Sequence, residues 1–558
     1  MKSLVSKWRP IPFILIVLLA LFLRLWRLDY GQELPYLAHT DEPTQYNPAI
    51  NMIKTGDLNP HFFNYPSLTI YIDAAVMYVG YWVGRLFGAF KSMANLQPIR
   101  TAQMAVGVVG TPQMLLLGRA TTAVIGTLTI IPVYLLTRSL AERRWVPLAS
   151  AAMLALSTAH IRFSHYMTVD AIATFFAVSS VAACTLALTK TRKWLLWLAA
   201  ISGGLAASSK YNYAVLALPV ALVTLVDPSL WVDDKIKRLW TSGLLFCLTF
   251  LLASPFVLLD YAEASRDIAH EMRHYATGHL GHTGNSFLWY LEYLWKENPF
   301  ALLLGVPGLV AAAWRRRRAA IPFVVAAVTY YVLIGRQVVH FDRNALPVLV
   351  LLHVGAGVAM DTIVSWLPAG VREWRLALRA LKVSPAFALL AVVPLLPSLW
   401  VLPSVLTPGP GGKAMAQAWF DRALETPYGE RMLTKKYFPA LNVAAEAYTV
   451  YLDPKECKVK YWSSVTESGY GLLEFQVFHF DIAVLGSGMF DRFYQNPDVY
   501  AKQVAIYDEF FEKVPDRLAF EGPTDPLLFA EGNGQVYVFF LTEQGRAFKA
   551  EMEQVLQQ

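Results

Sequence analysis

Residues 171–212 read AIATFFAVSSVAACTLALTKTRKWLLWLAAISGGLAASSKYN. The apolar runs 171–189 and 194–209 are each close to the ~18–20 residues that carry a helix across a bilayer. Between them lies a short basic turn, Lys190 to Lys193, and such turns mark the cytoplasmic side of a membrane protein. At the far end the apolar character stops at Lys210, Tyr211 and Asn212. The reading is a helical hairpin with its basic turn inside and its reactive groups outside.

Working outward, runs of the same kind recur from Ile11 to Trp400. Basic clusters separate them at Lys2 to Arg9, Arg138 to Arg144, Lys235 to Arg238, Arg315 to Arg318 and Arg372 to Lys382. Spans drawn between the clusters fall at 11–28, 118–137, 145–162, 171–189, 194–209, 212–228, 239–257, 299–314, 319–335, 344–360 and 385–402. That predicts a polytopic α-helical membrane protein with about 11 transmembrane helices, the N-terminus inside and the tail outside. Segment 67–90 would upset the parity if it crossed. A hairpin with 103–117 would keep it, but Tyr71, Asp73, Trp82 and Arg85 suit better a helix lying at the outer surface.

Composition agrees. Of 558 residues 55% are hydrophobic and 16% charged, against about 25% charged in soluble domains. The net charge of +7 is explained by basic inner loops, so no nucleic-acid partner is expected. The first run passes straight into Arg24, Trp26 and Arg27 with no small-residue cleavage site, which reads as an uncleaved span. Cys184, Cys247 and Cys457 make no disulfide framework. A Pro/Gly-rich linker, Pro403 to Gly412, divides a transmembrane domain at 1–403, with its outer loop at 29–117, from an extracytoplasmic mixed α/β domain at 404–558. In that tail Lys413 to Arg422 reads as helix, Phe480 to Leu485 as a buried strand, and Gly486-Ser-Gly488 as a tight turn.

The remaining polar residues gather on the outer side. They are Asp41 and Glu42; Arg162, His165 and Asp170; Lys210, Tyr211 and Asn212; Asp260, His274, His279 and His282; and Arg336, His340, Asp342 and Arg343. Ionisable groups at a membrane are costly enough to point to function. Each also has a plainer reading. Asp41 and Glu42 before Pro43 suit a helix N-terminus, and Lys210, Arg336 and Arg343 could anchor at headgroups. Taken together the set suits group transfer from a phosphorylated lipid. A carboxylate takes the acceptor's proton, and cations meet the charge growing on the departing phosphate. Arginine offers that phosphate a bidentate fork and lysine a point charge. No nucleotide-phosphate loop is present in the sequence.

The run His39-Thr-Asp-Glu-Pro-Thr-Gln-Tyr46 resembles the acidic motif in the first outer loop of the GT-C superfamily of membrane glycosyltransferases. Within it, the likeness is to the protein O-mannosyltransferase and aminoarabinose-transferase-like group. Tyr65-Pro-Ser-Leu-Thr-Ile-Tyr71 is similar to the segment after that loop, and Arg119 opens a span as in the family. Arg162-Phe-Ser-His-Tyr-Met-Thr-Val-Asp170 is similar to the second loop, and Ser209-Lys-Tyr-Asn212 and Arg343-Asn-Ala-Leu-Pro347 have counterparts. Ala416-Gln-Ala-Trp-Phe420 and Phe480-Asp-Ile-Ala-Val484 resemble outer domains of some members.

The resemblance implies a GT-C fold in a prokaryotic plasma (inner) membrane, a polyprenyl-phosphate sugar donor, and inversion at the anomeric carbon. Asp41 would be the base, with Glu42 and Asp170 as further site carboxylates. Arg343, Arg336, Lys210, His340 and Arg119 would face the donor phosphate, and Tyr65, His165, Tyr211 and Asn212 would line the substrate site. Tyr65 stands where the aminoarabinose transferases carry lysine, which argues against aminoarabinose transfer to lipid A. A lipid, glycan or protein acceptor stays open. Some members hold a divalent metal ion near the lipid phosphate. His274, His279 and His282 could do so here, although their spacing matches no standard closed site. The rival class is a lipid or glycolipid flippase, which would need a polar path through the spans.

Overall fold

The hairpin at 171–212 forms as two antiparallel helices, Val169–Lys190 and Lys193–Ser209. The computed structural model describes residues 11–29, 39, 41–99, 110–190, 192–227, 230–278, 284–367, 447–452, 457–462, 472–477, 479–521 and 535–557, with scattered helical residues between 392 and 422. In chain order the larger helical region runs α1 (Ile11–Leu25), α2 (Glu42–Thr55), α3 (Leu68–Leu86), α4 (Pro112–Leu128), α5 (Ile130–Leu140), α6 (Val146–Ala155), α7 (Thr158–His165), α8 (Val169–Lys190) and α9 (Lys193–Ser209). It continues with α10 (Ala217–Val226), α11 (Val232–Ala253), α12 (Phe256–Leu259), α13 (Tyr261–Thr277), α14 (Ser286–Glu297), α15 (Pro299–Arg315), α16 (Arg317–Gly335) and α17 (Leu346–Trp366).

Among the described residues, five helices are long and apolar enough to cross a membrane, or up to seven if each of two bent pairs is one span. The 11 runs read from the sequence also include shorter apolar helices, such as Ile11–Leu25, and residues outside the described set. Charged residues cut some runs short, as Arg24 does near the end of α1 and Lys210 at the end of α9. Helices α6 and α7 meet at a 51° bend, and α14 and α15 at 117°. Most of residues 385–402 lie outside the described set. The 67–90 segment forms α3, which is not among the helices apolar enough to cross, and it exposes Tyr78, Trp82, Leu86 and Phe87.

Packing in the bundle relies on small residues. With lipid on the outside there is little hydrophobic drive between helices, so close backbone approach must supply the contact. Helices α15 and α17 achieve it through Gly305, Gly308 and Gly355, where a Cβ on Gly308 would strike the Gly355 carbonyl. The α6–α7 bend frees backbone carbonyls inside the bundle, which cannot be left unpaired in lipid. Arg24, fully buried, donates to Leu154 O at 3.0 Å and Ala155 O at 3.2 Å, and lies 3.1 Å from His160 Nδ1.

The chain divides into two units: Met1–Leu28, Thr44–Met93 and Leu115–Leu406 form the first, and Asp29–Pro43, Ala94–Met114 and Thr407–Gln558 the second. The tail holds a five-stranded antiparallel sheet in the order β2-β1-β3-β5-β4, from β1 (Ala447–Leu452), β2 (Cys457–Trp462), β3 (Ile482–Gly486), β4 (Arg517–Phe520) and β5 (Val536–Phe540). Helices α18 (Leu472–Val477), α19 (Ser487–Tyr494), α20 (Ala501–Lys513) and α21 (Glu543–Gln557) accompany it. The expected buried strand is β3, all five residues buried. The expected tight turn at 486–488 is instead a strand-to-helix junction, since α19 begins directly at Ser487.

Candidate active site

Helix α8 begins with Asp170 in its first turn and α9 ends just before Lys210. Because the two are antiparallel, both residues reach the same end of the bundle. Lys210 Nζ donates to Asp170 Oδ1 at 2.8 Å and to Asn344 Oδ1 at 2.7 Å. Lys210 and Asp170 are both buried, so this is a desolvated ion pair and not a lysine snorkelling to headgroups.

A second buried cation sits on α7. Arg162 donates through Nη2 to Asp342 at 2.9 Å, to Tyr293 Oη at 3.1 Å and to Glu297 at 3.5 Å. Glu297 in turn accepts from Thr158 Oγ1 at 2.9 Å and from Tyr293 Oη at 3.2 Å. The Tyr290 hydroxyl accepts from Phe341 N at 3.3 Å and lies 3.4 Å from Asn344 Nδ2.

The outcome is a clamp on the short loop before α17. Asp342 is held by Arg162 and Asn344 by Lys210, and Arg343 lies between them. The half-buried Arg343 guanidinium lies 4.1 Å from the centre of the Phe341 ring, a cation–π contact. Its backbone N–H donates to Asp342 Oδ1 at 2.8 Å. An arginine whose two sequence neighbours are both pinned by buried charges is well placed to present its fork in a fixed direction.

His340 stacks on Trp289 with ring centres 4.4 Å apart. Burial lowers its pKa to about 4, so at neutral pH it offers an uncharged imidazole. Arg336 is exposed at the end of α16. Arg119, buried, donates to Leu28 O at 2.8 Å. His165 is also buried, its two ring nitrogens 2.8 Å from Ile161 O and 2.8 Å from Trp26 O. Tyr211 donates to Phe63 O at 3.1 Å, and Tyr65 and Asn212 are half-buried.

Asp41 lies in the second unit and immediately precedes α2; its backbone N–H donates to His39 Nδ1 at 3.1 Å. Glu42, fully buried, occupies the first turn of that helix, where a carboxylate complements the macrodipole. Of the three histidines offered for a metal, His274 lies on α13 with Nδ1 4.0 Å from Glu271, and its ring contacts those of Tyr275 and Phe341. His279 and His282 fall outside the described residues.

Sequence reasoning passed over Glu297, Tyr293 and Tyr290, and it quoted Asn344 in a motif without giving it a role. A usable signal existed for Glu297, an ionisable residue between two apolar runs, directly before Asn298-Pro299. It also passed over the loop at 57–64, which lies along α13. Asn59 Nδ2 donates to Asp260 at 2.8 Å, His61 Nδ1 is 3.1 Å from Glu263, Phe63 N donates to Asp267 at 3.2 Å, and Asn64 Nδ2 to Glu271 at 3.4 Å. These contacts hold the Asp260 carboxyl below its ordinary range, chiefly through the Asn59 amide, and the Asp57 carboxyl likewise through the Asn59 backbone N–H. His61 is raised, first by Asp57 and then by Glu263.

Residues 107–265 match the dolichyl-phosphate-mannose-protein mannosyltransferase family. The matched segment contains Arg119, Arg162, Asp170, Lys210 and Asp260. Among solved structures, ArnT from Cupriavidus metallidurans bound to undecaprenyl phosphate is similar at 15% identity and a TM-score of 0.49, covering 97% of this chain and 99% of that one. The oligosaccharyltransferase of Archaeoglobus fulgidus is similar at 14% identity and a TM-score of 0.47, over 77% of this chain. The chain spans 60% of that enzyme's length. The Saccharomyces cerevisiae protein O-mannosyltransferase Pmt1-Pmt2 complex, bound to its sugar donor, is similar at 18% identity over 50% of this chain and 36% of that one, with a TM-score of 0.32. All three are GT-C glycosyltransferases. No curated protein sequence matches the chain.

Proposed function

We propose that this chain is an integral membrane glycosyltransferase that moves a sugar from a polyprenyl-phosphate donor to an acceptor hydroxyl on the outer face of the membrane, with inversion. The observation that carries the reading is the double clamp, in which Lys210 and Arg162 are spent on Asn344 and Asp342 while Arg343 stands between them over Phe341. Buried charge of this kind is costly in a membrane and is retained where it holds something in place.

In the proposed reaction the acceptor oxygen attacks the anomeric carbon and the Asp41 carboxylate takes its proton. The bond from that carbon to the phosphate oxygen breaks, and its electron pair leaves with the polyprenyl phosphate. Arg343 meets the phosphate charge. Lys210, Arg162 and Asp170 are positioning residues in this scheme, and Arg343 is the cation that touches the donor. Arg336, exposed at the end of α16, is a further cation for the lipid headgroup region.

The test is incubation of the purified protein with a panel of radiolabelled polyprenyl-phosphate sugars and mixed lipid, glycan and peptide acceptors. Transfer of label from one donor class is the expected result. If no donor yields a product, while labelled lipid moves between the leaflets of vesicles containing the protein, the flippase reading replaces this one.

A further inference from the structure

Where the 57–64 loop meets the start of α13, His61, Asp260 and Glu263 each bring one ligand atom to a common point, all within 4.8 Å of one another. The three come from two elements. His61 is on the loop, Asp260 is the N-cap of α13 and Glu263 lies in its first turn. The other face of the imidazole is also engaged. His61 Nε2 lies 3.1 Å from Asp57 Oδ2, while Nδ1 lies 3.1 Å from Glu263 Oε2.

This is the arrangement a metal-binding histidine requires. One ring nitrogen gives its proton to a carboxylate, which fixes the tautomer and the ring's direction, and the other turns a lone pair toward the ion. Bridging Asp57 and Glu263 at once takes the doubly protonated ring, and a metal ion would take the place of the proton on Nδ1. Charge points the same way. Asp57, Asp260, Glu263 and Asp267 surround the loop, and Arg266 is shared between Glu263 and Asp267.

We propose that His61 Nδ1, Asp260 and Glu263 bind a divalent metal ion, with Asp57 orienting His61 and water completing the shell. One imidazole with two carboxylates suits zinc or manganese better than magnesium, which prefers oxygen and keeps its waters. The site differs from the histidine trio considered above, because His274 lies about 16 Å further along α13 by the helical rise. The ion would tie the 57–64 loop to the helix start, adding a strong cross-link to a row of hydrogen bonds. The inference does not rest on the glycosyltransferase reading.

The test uses full-length protein in nanodiscs, freed of metal and of any affinity tag, titrated with zinc or manganese alone. Expected is one tightly bound ion per chain and a rise in melting temperature on adding metal. His61→Gln and Glu263→Gln should remove both effects, while metal-free melting stays near that of the parent. Asp57→Asn should weaken binding about 10–100-fold, the usual effect of losing such an orienting partner. A parent that binds neither ion overturns the proposal, and so do variants that bind as the parent does. Neither readout needs a sugar donor, so failure of the donor panel and failure of this site are separate results.

Discussion

Lys210 illustrates what a single charge does inside a membrane protein. Its partners Asp170 and Asn344 lie on other elements, and removing the ammonium would leave a buried carboxylate alone. Breaking such a pair costs about 3–5 kcal/mol. Lys210→Met and Asp170→Asn should therefore each lower the melting temperature, and the double variant should lose less than the sum of the two. Additive losses would show that the two residues do not act as a pair. His340 gives a pH dependence. Its folded-state pKa of about 4 lies below the ordinary value of 6.5, so the unfolded chain binds the proton more readily. The contribution is whole above pH 6.5 and is lost as pH falls toward 4. His340→Phe keeps a ring on Trp289 and should flatten the decline in melting temperature between pH 7 and 5; an unchanged decline assigns it to other groups. Asp41 carries the proposed chemistry. Asp41→Asn keeps the size and cannot accept the proton, so turnover should fall by about 10²–10⁴-fold while expression stays normal. The comparison is Glu42→Gln, because a pure helix-capping role predicts small and similar effects from both. Rates within a few-fold of parent for Asp41→Asn would remove the base assignment.

Helices α15 and α17 show how elements are held without a hydrophobic drive. Gly308 and Gly355 bring two backbones into contact, and no side chain can move aside to admit a methyl group. Gly308→Ala should lower stability more than a surface substitution such as Lys296→Ala, and by more than the few tenths of a kcal/mol usual at exposed sites. Equal melting temperatures for the two variants would mean the helices are not in contact there. At this scale the sequence was legible in one respect and silent in another. Residues Lys210, Asp170 and Arg162 stood out because each is ionisable and borders an apolar run. Their partners could not be read, since Arg162 meets Asp342 and Lys210 meets Asn344 across long stretches of chain, and periodicity carries no information about which helices touch. The α6–α7 bend was equally hidden, because the carbonyls it frees are capped by a residue from α1.

Across the transmembrane unit, charge is sorted to two ends. At one end stand Lys210, Asp170, Arg162 and the 341–344 loop; at the other, Asp361 is buried and accepts from the backbone of Glu142 and Arg143 and from the side chains of Arg143 and Arg315. Helix α17 separates Asn344 from Asp361 by about 25 Å at the helical rise, close to the ~30 Å of a hydrocarbon core. The Asp361 end also carries Arg143, Arg144 and Arg315 to Arg318, and under the positive-inside rule we propose that this end faces the cytoplasm. Sequence reasoning found this sorting because Lys and Arg counts in loops are a composition signal that needs no contacts. The division into units was less legible: the second unit takes in 29–43 and 94–114 along with the tail, and no linker composition announces that. The two ends yield a prediction for the chain's exit. Helix α17 runs from the Asn344 end to the Asp361 end, and the basic residues Arg372 to Lys382 follow it. The apolar run at 385–402 is then expected to cross back, leaving the tail outside. A reporter active only in the cytoplasm should be silent when fused after Gln558 and bright when fused after Arg318. Activity at Gln558 would mean that 385–402 does not cross and that the tail lies in the cytoplasm.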